Sequence, residues 1–169
     1  MNILGEKIYL AGPDVFYPDA IDILAKKKEL CKDYGFIPIS PLDNEVDISK
    51  MSKSEAAGFI ALANKNKIRD CDIIIANLNS FRGFEPDSGT CFEVGYGMAL
   101  NKRIYIYLDS HIFPMRKRYP LYYGFKSHLE KDMEGNVIED FNMPVNLMFS
   151  ESKIFETFED CLIDLKKNI

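Results

Sequence analysis

The sequence predicts a single α/β domain whose doubly wound, mostly parallel sheet carries helices on both faces. Short apolar segments rich in β-branched residues alternate with longer segments of helical spacing, which is typical of parallel strands joined by crossover helices. Glycine and proline turns separate the two kinds of segment. The length of 169 residues and the hydrophobic fraction of 47% suit one continuous core, so one domain over residues 1–169 is expected.

Four strands can be located from their composition. The third is the clearest, because it is apolar and β-branched, as a strand buried on both faces should be. Pro38 cannot donate a hydrogen bond to a neighbouring strand, so the second strand is expected at an edge of the sheet. The strands are predicted over 7–11, 36–39, 71–78 and 103–108. We expect a flavodoxin-like order with five strands in total.

Helical spacing of apolar residues predicts four helices. They are expected over about 19–34, 54–70, 88–101 and 156–167. Gly95 and Gly97 fall inside the third helix, where each costs roughly 1 kcal/mol relative to alanine, so another backbone is expected to approach closely. The segment over about 109–150 is predicted to be irregular, and its basic run Met115–Arg118 is interpreted as a solvated loop.

Composition and charge argue against several function classes. The net charge of −5 and the sequence pI near 5.1 are unlike those of a nucleic-acid-binding surface. The four cysteines form no C-x-x-C pair and the two histidines are not at helical ligand spacing, so no metal site is expected. Without a signal peptide or an apolar run of membrane-spanning length, we expect a cytoplasmic protein with reduced thiols and no membrane contact.

Candidate functional residues cluster where the predicted strands end. Ligands of doubly wound sheets bind outside the carboxyl ends of the strands, and three loops, over 11–16, 41–45 and 79–89, converge there. With Asp87 or Ser88 as N-cap, Glu93 lies in the second turn of the third helix, where the helix dipole favours a carboxylate. Glu93 is then either functional or an ordinary residue on a solvated face. Tyr9 of the first strand is either its partner or a core aromatic residue.

Five motifs occur in order over about residues 7 to 148. They are Lys7-Ile-Tyr-Leu-Ala-Gly-Pro-Asp-Val-Phe16, Pro41-Leu-Asp-Asn44, Asp72-Ile-Ile-Ile-Ala-Asn-Leu78, Asp87-Ser-Gly-Thr-Cys-Phe-Glu-Val-Gly-Tyr96 and Asn146-Leu-Met148. Together they resemble the nucleoside 2-deoxyribosyltransferase family. The resemblance implies a flavodoxin-like fold and an enzyme that moves 2-deoxyribose from one nucleobase to another through a covalent glycosyl-enzyme, in nucleoside salvage and without a cofactor.

The resemblance also implies roles for individual residues. Glu93 corresponds to the nucleophile, Tyr9 to the residue whose hydroxyl holds it, and Asp87 to the group that binds a sugar hydroxyl. The residue at Asn146 arrives from a neighbouring subunit in the family, so a homo-oligomer with a dimer as its minimal unit is expected. The remaining substrate-binding candidates are Gly12, Asp14, Phe16, Asp43, Glu45, Asn64 and Met148.

The proton donor to the leaving base and the base preference stay open at this stage. The pyrimidine-accepting branch of the family has an aspartate at the position of Asn64, and an amide cannot serve as a general acid. Asp43, Asp14 or water are the alternatives. Phe16 could stack on the base, and Asp43 and Glu45 could touch its edge, but each could equally be an ordinary loop residue.

Two other functions compete with base exchange. One is a hydrolase of 2'-deoxynucleoside 5'-monophosphates, which has the same fold and nucleophile but a serine-type phosphate contact six positions before it. Here that residue is Asp87, whose charge would repel a 5'-phosphate. The other is a non-enzymatic flavodoxin-like module that binds a nucleotide or a protein. It explains the fold but not the clustering of Tyr9, Asp87 and Glu93.

Overall fold

A computed structural model of the chain describes residues 5–43, 47–109, 111–125 and 129–168. Within these ranges a five-stranded sheet has the order β2-β1-β3-β4-β5, and every neighbouring pair is parallel. This order is that of the flavodoxin-like doubly wound fold, so the predicted fold class is confirmed. The strands are β1 (Lys7–Ala11), β2 (Ile37–Ile39), β3 (Ile73–Asn77), β4 (Arg103–Tyr107) and β5 (Lys153–Phe155).

The edge strands differ in how well the sequence located them. Strand β2 lies at an edge with Pro38 opposite Ile8, as its missing N–H group requires. Strand β5 forms the other edge and pairs with β4 over three residues. Its Lys-Ile-Phe sequence is too short to give a periodic signal, so its position was not located from the sequence.

Helices cover both faces of the sheet, as expected. Alternate strand residues point to opposite faces, so Ile8 and Ile73 pack with one helix pair while Tyr9 and Ile74 pack with the other. The helices on the first face are α1 (Ala20–Asp33) and α5 (Phe158–Lys167), and those on the second are α2 (Lys53–Asp70) and α3 (Ser88–Ala99). Helix α2 begins with a reciprocal capping box between Ser52 and Glu55.

Helix α3 lies close to β3 through a side chain rather than through a backbone. A Cβ atom at Gly97 would overlap Cδ1 of Ile74, so the missing side chain lets the helix settle on the sheet. Among the residues that the structure describes, none places an atom within 4 Å of the corresponding position at Gly95. The expected approach of a backbone at these two glycines is therefore wrong within this chain, and Gly95 faces open space.

The segment after β4 is more ordered than its composition predicts. Helix α4 (Met115–Tyr122) contains the basic run and continues through Pro120, so the interpretation of this run as a solvated loop is wrong. Packing stabilises the helix, since buried Met115 joins a separate small core. Arg116 pairs with Asp140 at 2.7 Å. Proline has a low helix propensity, so the local sequence disfavours this helix. The long-range contacts of Met115 and Arg116 stabilise it nevertheless.

The described helices include none with the length and apolarity that a membrane span needs. Cys71 is buried and Cys91 is half-buried. All four cysteines are free. No group of three or more His, Cys, Asp or Glu side chains within the described ranges is arranged to hold a metal ion.

Candidate active site

A cavity of about 550 Å³ opens at the carboxyl ends of β1 and β3, on the face covered by α2 and α3. This is where a doubly wound sheet binds ligands, because the helices that follow the neighbouring strands β1 and β3 lie on opposite faces of the sheet. The predicted site residues that line it are Gly12, Phe16, Asn64, Asp87 and Glu93. Three separate segments of the chain supply them, namely the loop after β1, helix α2 and the start of α3.

Tyr9 and Glu93 meet beneath this cavity. Tyr9 belongs to β1 and is fully buried, and its Oη donates a hydrogen bond of 2.6 Å to Glu93 Oε1. Glu93 lies on the side of α3 that faces the sheet and the cavity, not on a solvated face. Tyr9 is therefore more than a core aromatic residue, and Glu93 is not an ordinary residue on a solvated face, because the two are hydrogen-bonded at the cavity.

The environment of Glu93 favours its neutral form. Burial raises the pKa of Glu93 to about 7, and the negative charge of Asp87 adds to this increase. The hydrogen bond from Tyr9 and the positive charge of Lys67 act in the opposite direction. Burial and the neighbouring glutamate raise the pKa of Tyr9, so the phenol keeps its proton and remains a donor. A carboxylate with a pKa near neutrality in a cleft is typical of a functional site.

Asp87 is the N-cap of α3, as predicted. Its Oδ2 accepts hydrogen bonds from the backbone N–H of Thr90 at 2.8 Å and from Thr90 Oγ1 at 2.9 Å. Both bonds end on one oxygen, and no described residue donates to Oδ1. The cap therefore fixes the rotamer of Asp87 while one carboxylate oxygen remains available at the cavity.

Gly12 and Asp14 form a tight turn after β1. A Cβ atom at Gly12 would lie 2.6 Å from Asp14 Oδ2 and 2.9 Å from Asn77 Cβ, so the turn leaves no room for a side chain. Asp14 is buried, pairs with Lys27 at 2.8 Å and accepts from Asn77 at 3.3 Å. These contacts assign Asp14 to the support of the turn rather than to the cavity wall.

Asp43 is likewise held by the protein. Its carboxylate pairs with Lys28 and accepts a hydrogen bond of 2.9 Å from the backbone of Ser40. Burial raises the pKa of Asp43, but these bonds outweigh it and the net pKa lies below the usual value. An ionised, paired carboxylate is poorly suited to protonate a leaving base. Glu45 lies outside the described residues.

Asn64 and Phe16 lie on different walls of the cavity. Asn64 Oδ1 is buried and accepts no hydrogen bond from the described residues. A buried acceptor without a hydrogen bond is destabilising, and a donor on a bound ligand would remove this cost. Phe16 is 56% exposed and stacks on Phe81, with ring centroids 5.5 Å apart. The guanidinium of Arg82 lies over both rings. The sequence carried no signal for this stack, because it joins two loops distant in the chain.

Asn146 and Met148 lie away from this cavity. Asn146 caps a short 3-10 helix (Leu147–Phe149) by accepting from the N–H of Met148 at 3.0 Å, and its amide donates to Glu139. Both residues line a second, apolar cavity of about 570 Å³ beside the open Gly95. Within the described part of one chain, Gly12, Phe16, Asn64, Asp87 and Glu93 line the first cavity and Tyr9 contacts Glu93. The predicted residues Asp14, Asp43, Asn146 and Met148 do not line that cavity.

Comparison with known proteins agrees with the motifs. The sequence model of the family described as nucleoside 2-deoxyribosyltransferase matches residues 8–148. The chain belongs to this family. A 2-deoxyribosyltransferase from Leishmania mexicana is 32% identical and superposes with a TM-score of 0.77, covering 96% of this chain and 97% of that one.

A more distant solved structure shows the same fold as this deoxyribosyltransferase-family chain, and one curated sequence is similar to part of it. A 2-deoxyribosyltransferase from Bacillus psychrosaccharolyticus is 20% identical with a TM-score of 0.58, covering 95% of this chain and 90% of that one. An uncharacterised protein of Schizosaccharomyces pombe is 33% identical over 114 residues, which are 66% of this chain and 54% of that protein. The chain thus spans about half the length of the curated relative it matches.

Proposed function

We propose that this protein transfers 2-deoxyribose between the nucleobases of 2'-deoxynucleosides, with Glu93 as the nucleophile. The supporting observation is the hydrogen bond of 2.6 Å from Tyr9 to Glu93 Oε1 at the cavity. It orients the carboxylate, and no described residue donates to the other oxygen, Oε2. That oxygen is free to attack the anomeric carbon of a bound sugar.

The proposed reaction has two displacements. In the first, the bond between C1' and the base nitrogen breaks, its electron pair leaves with the base, and Glu93 bonds to C1' through an oxocarbenium-like transition state. In the second, a nitrogen of the incoming base attacks C1' and the carboxylate of Glu93 is released. Two inversions give net retention. The exchange interconverts deoxynucleosides and so serves nucleoside salvage.

Other residues bind and orient the substrate. Asp87 accepts a hydrogen bond from a sugar hydroxyl through Oδ1, and Phe16 offers an exposed ring for stacking on the base. Asn64 accepts from the edge of the base, which satisfies its buried Oδ1. Because Asp14 and Asp43 are both paired with lysines, water is the best candidate for the proton that the leaving base takes up.

A direct assay distinguishes base exchange from the competing functions. Incubation with thymidine and adenine, followed by chromatography, should yield deoxyadenosine and thymine in equal amounts. A ribonucleoside donor should react more slowly, because a 2'-hydroxyl withdraws electron density from the oxocarbenium-like state. Hydrolysis of a 2'-deoxynucleoside 5'-monophosphate without base exchange would favour the hydrolase instead, although the charge of Asp87 opposes it. If neither substrate reacts, the remaining interpretation is the non-enzymatic module that binds a nucleotide or a protein.

The rate of base exchange should depend on the ionisation of Glu93. Its pKa is raised to about 7 from the usual 4.5, and the ionised form is the nucleophile. kcat/KM is therefore expected to fall about tenfold per pH unit below this pKa. Tyr9→Phe removes a contact that lowers the pKa and should move the acid limb to higher pH. Asp87→Asn removes the charge repulsion between Asp87 and Glu93 and should move the acid limb to lower pH.

The measurement is a pH profile of kcat/KM for the wild type and both variants. The direction of each shift is the readout, because the two variants also change the absolute rate. A wild-type limb near pH 4.5, or shifts of the same sign in both variants, would contradict this account.

A further inference from the structure

Lys67 stands out as a charged residue next to the site that the proposed reaction does not use. It lies on α2 seven positions after Ile60 and three after Asn64, so all three share one face of the helix. Ile60 and Asn64 line the cavity. Lys67 itself does not line it and is half-buried behind the wall. Its ammonium group donates hydrogen bonds of 3.0 Å to the carbonyl oxygens of Ser40 and Pro41.

These two carbonyl groups belong to the wall of the cavity. Ser40 and Pro41 follow the edge strand β2 and are both buried, and Pro41 lines the cavity together with Glu93. Buried carbonyl oxygens without a donor are costly. The carbonyl oxygen of Ser40 also accepts a hydrogen bond of 3.0 Å from the N–H of Asp43. Lys67 adds a connection from α2 to this segment, which follows an edge strand of three residues.

The same lysine belongs to a line of alternating charges. Lys28 on α1 pairs with Asp43, Asp43 interacts with Lys67, and Lys67 interacts with Glu93. The groups that act on Glu93 are Tyr9 from β1, Asp87 at the start of α3 and Lys67 from α2. Lys67 is the cation among them, and it offsets the negative charge of Asp87.

We propose that Lys67 is a positioning residue of this active site, which fixes the Ser40–Pro41 wall through its two hydrogen bonds and keeps a positive charge near the Glu93 carboxylate. The carboxylate is thereby held closer to its ionised, nucleophilic form in spite of burial and of Asp87. This role rests on the proposed function of Glu93, but the electrostatic part can be measured without any turnover.

The first test separates the charge of Lys67 from its hydrogen bonds. Lys67→Arg keeps the charge, and Lys67→Gln keeps a donor but loses the charge. Lys65→Gln on the same helix is the matched control, because Lys65 lies over the ring of Phe92. The carboxyl signal of Glu93 is followed against pH by ¹³C NMR and assigned by its loss in Glu93→Gln.

Lys67→Gln should move the Glu93 titration upward by roughly one pH unit, with little change in Lys67→Arg and Lys65→Gln. For base exchange, Lys67→Gln should shift the acid limb by the same amount, and both Lys67 variants should raise KM severalfold. Equal titrations of Glu93 in Lys67→Gln and Lys65→Gln would overturn the proposal. Absence of base exchange in the wild type would instead refute the proposed function and leave the titration valid.

A reciprocal measurement does not depend on the folding of Lys67 variants. Coupling between two charges acts equally on both, so Glu93→Gln should lower the pKa of the Lys67 ammonium, read from its side-chain NMR signals. An unchanged Lys67 titration in Glu93→Gln would show that the two groups do not interact and would overturn the proposal.

Discussion

Replacing Glu93 with alanine or glutamine is expected to lower the rate of base exchange by at least about three orders of magnitude, because both variants lose the proposed nucleophile. The two substitutions differ in what they do to Tyr9. Alanine leaves the buried phenol without its acceptor, whereas glutamine can still accept the hydrogen bond through its amide oxygen. Glu93→Gln is therefore the variant whose fold should be closest to that of the wild type.

The covalent intermediate that we propose provides an independent readout. With a deoxynucleoside whose intermediate turns over slowly, intact-mass analysis of the wild type should detect one added deoxyribosyl group. Peptide mapping should place it on Glu93, and Glu93→Gln should carry none. Circular dichroism and thermal unfolding of the variants control for loss of fold. A Glu93→Gln enzyme with wild-type activity, or an adduct on another residue, would end this mechanism.

A second large loss of activity is expected when Asn146 is replaced, because we expect this residue to complete the active site of a neighbouring subunit. Asn146 and Met148 do not line the Glu93 cavity of their own chain but flank an apolar cavity beside the open Gly95. Met148 is 71% exposed. Apolar side chains around α4 are also exposed, among them Leu121, Tyr122 and Phe125. Exposed apolar area of this kind marks an interaction surface, and a two-fold partner could cover it while bringing its Asn146 to the site.

A mixing experiment tests the shared site. Glu93→Gln and Asn146→Ser should each be inactive or nearly so, and serine at position 146 can still cap the short 3-10 helix. After dissociation and reassociation together, mixed dimers should contain one site with both wild-type residues. Part of the activity should therefore return, up to about a quarter of the wild-type sites for random pairing of equal amounts.

The controls are each variant taken alone through the same procedure, and sedimentation of the active enzyme. An inactive mixture in which mixed dimers have formed would show that Asn146 acts within its own chain. Activity that sediments as a monomer would lead to the same conclusion. In either case the exposed apolar residues around α4 would need a different explanation.

The sequence by itself was sufficient for the fold class and for the pair at the centre of the site. β-Branched runs and helical spacing are local signals, and they located β1 and β3 and the helices α1, α2 and α3 closely. Asp87 and Ser88 were the two N-cap candidates for the same reason, and Asp87 is the N-cap in the structure. The relation between Tyr9 and Glu93 came from motifs that stand 84 positions apart, and the geometry of the pair agrees with it.

Only the tertiary structure decided the features that depend on contacts between distant segments. Helix α4 forms in spite of Pro120 because it packs on Phe84 and Ile138. Asp14 and Asp43, two candidate substrate contacts, pair with lysines of α1, which no local sequence pattern indicated. Lys67 gave no signal at all. Its hydrogen bonds and its charge act across the fold, on residues of β2 and α3 that no local pattern connects to it.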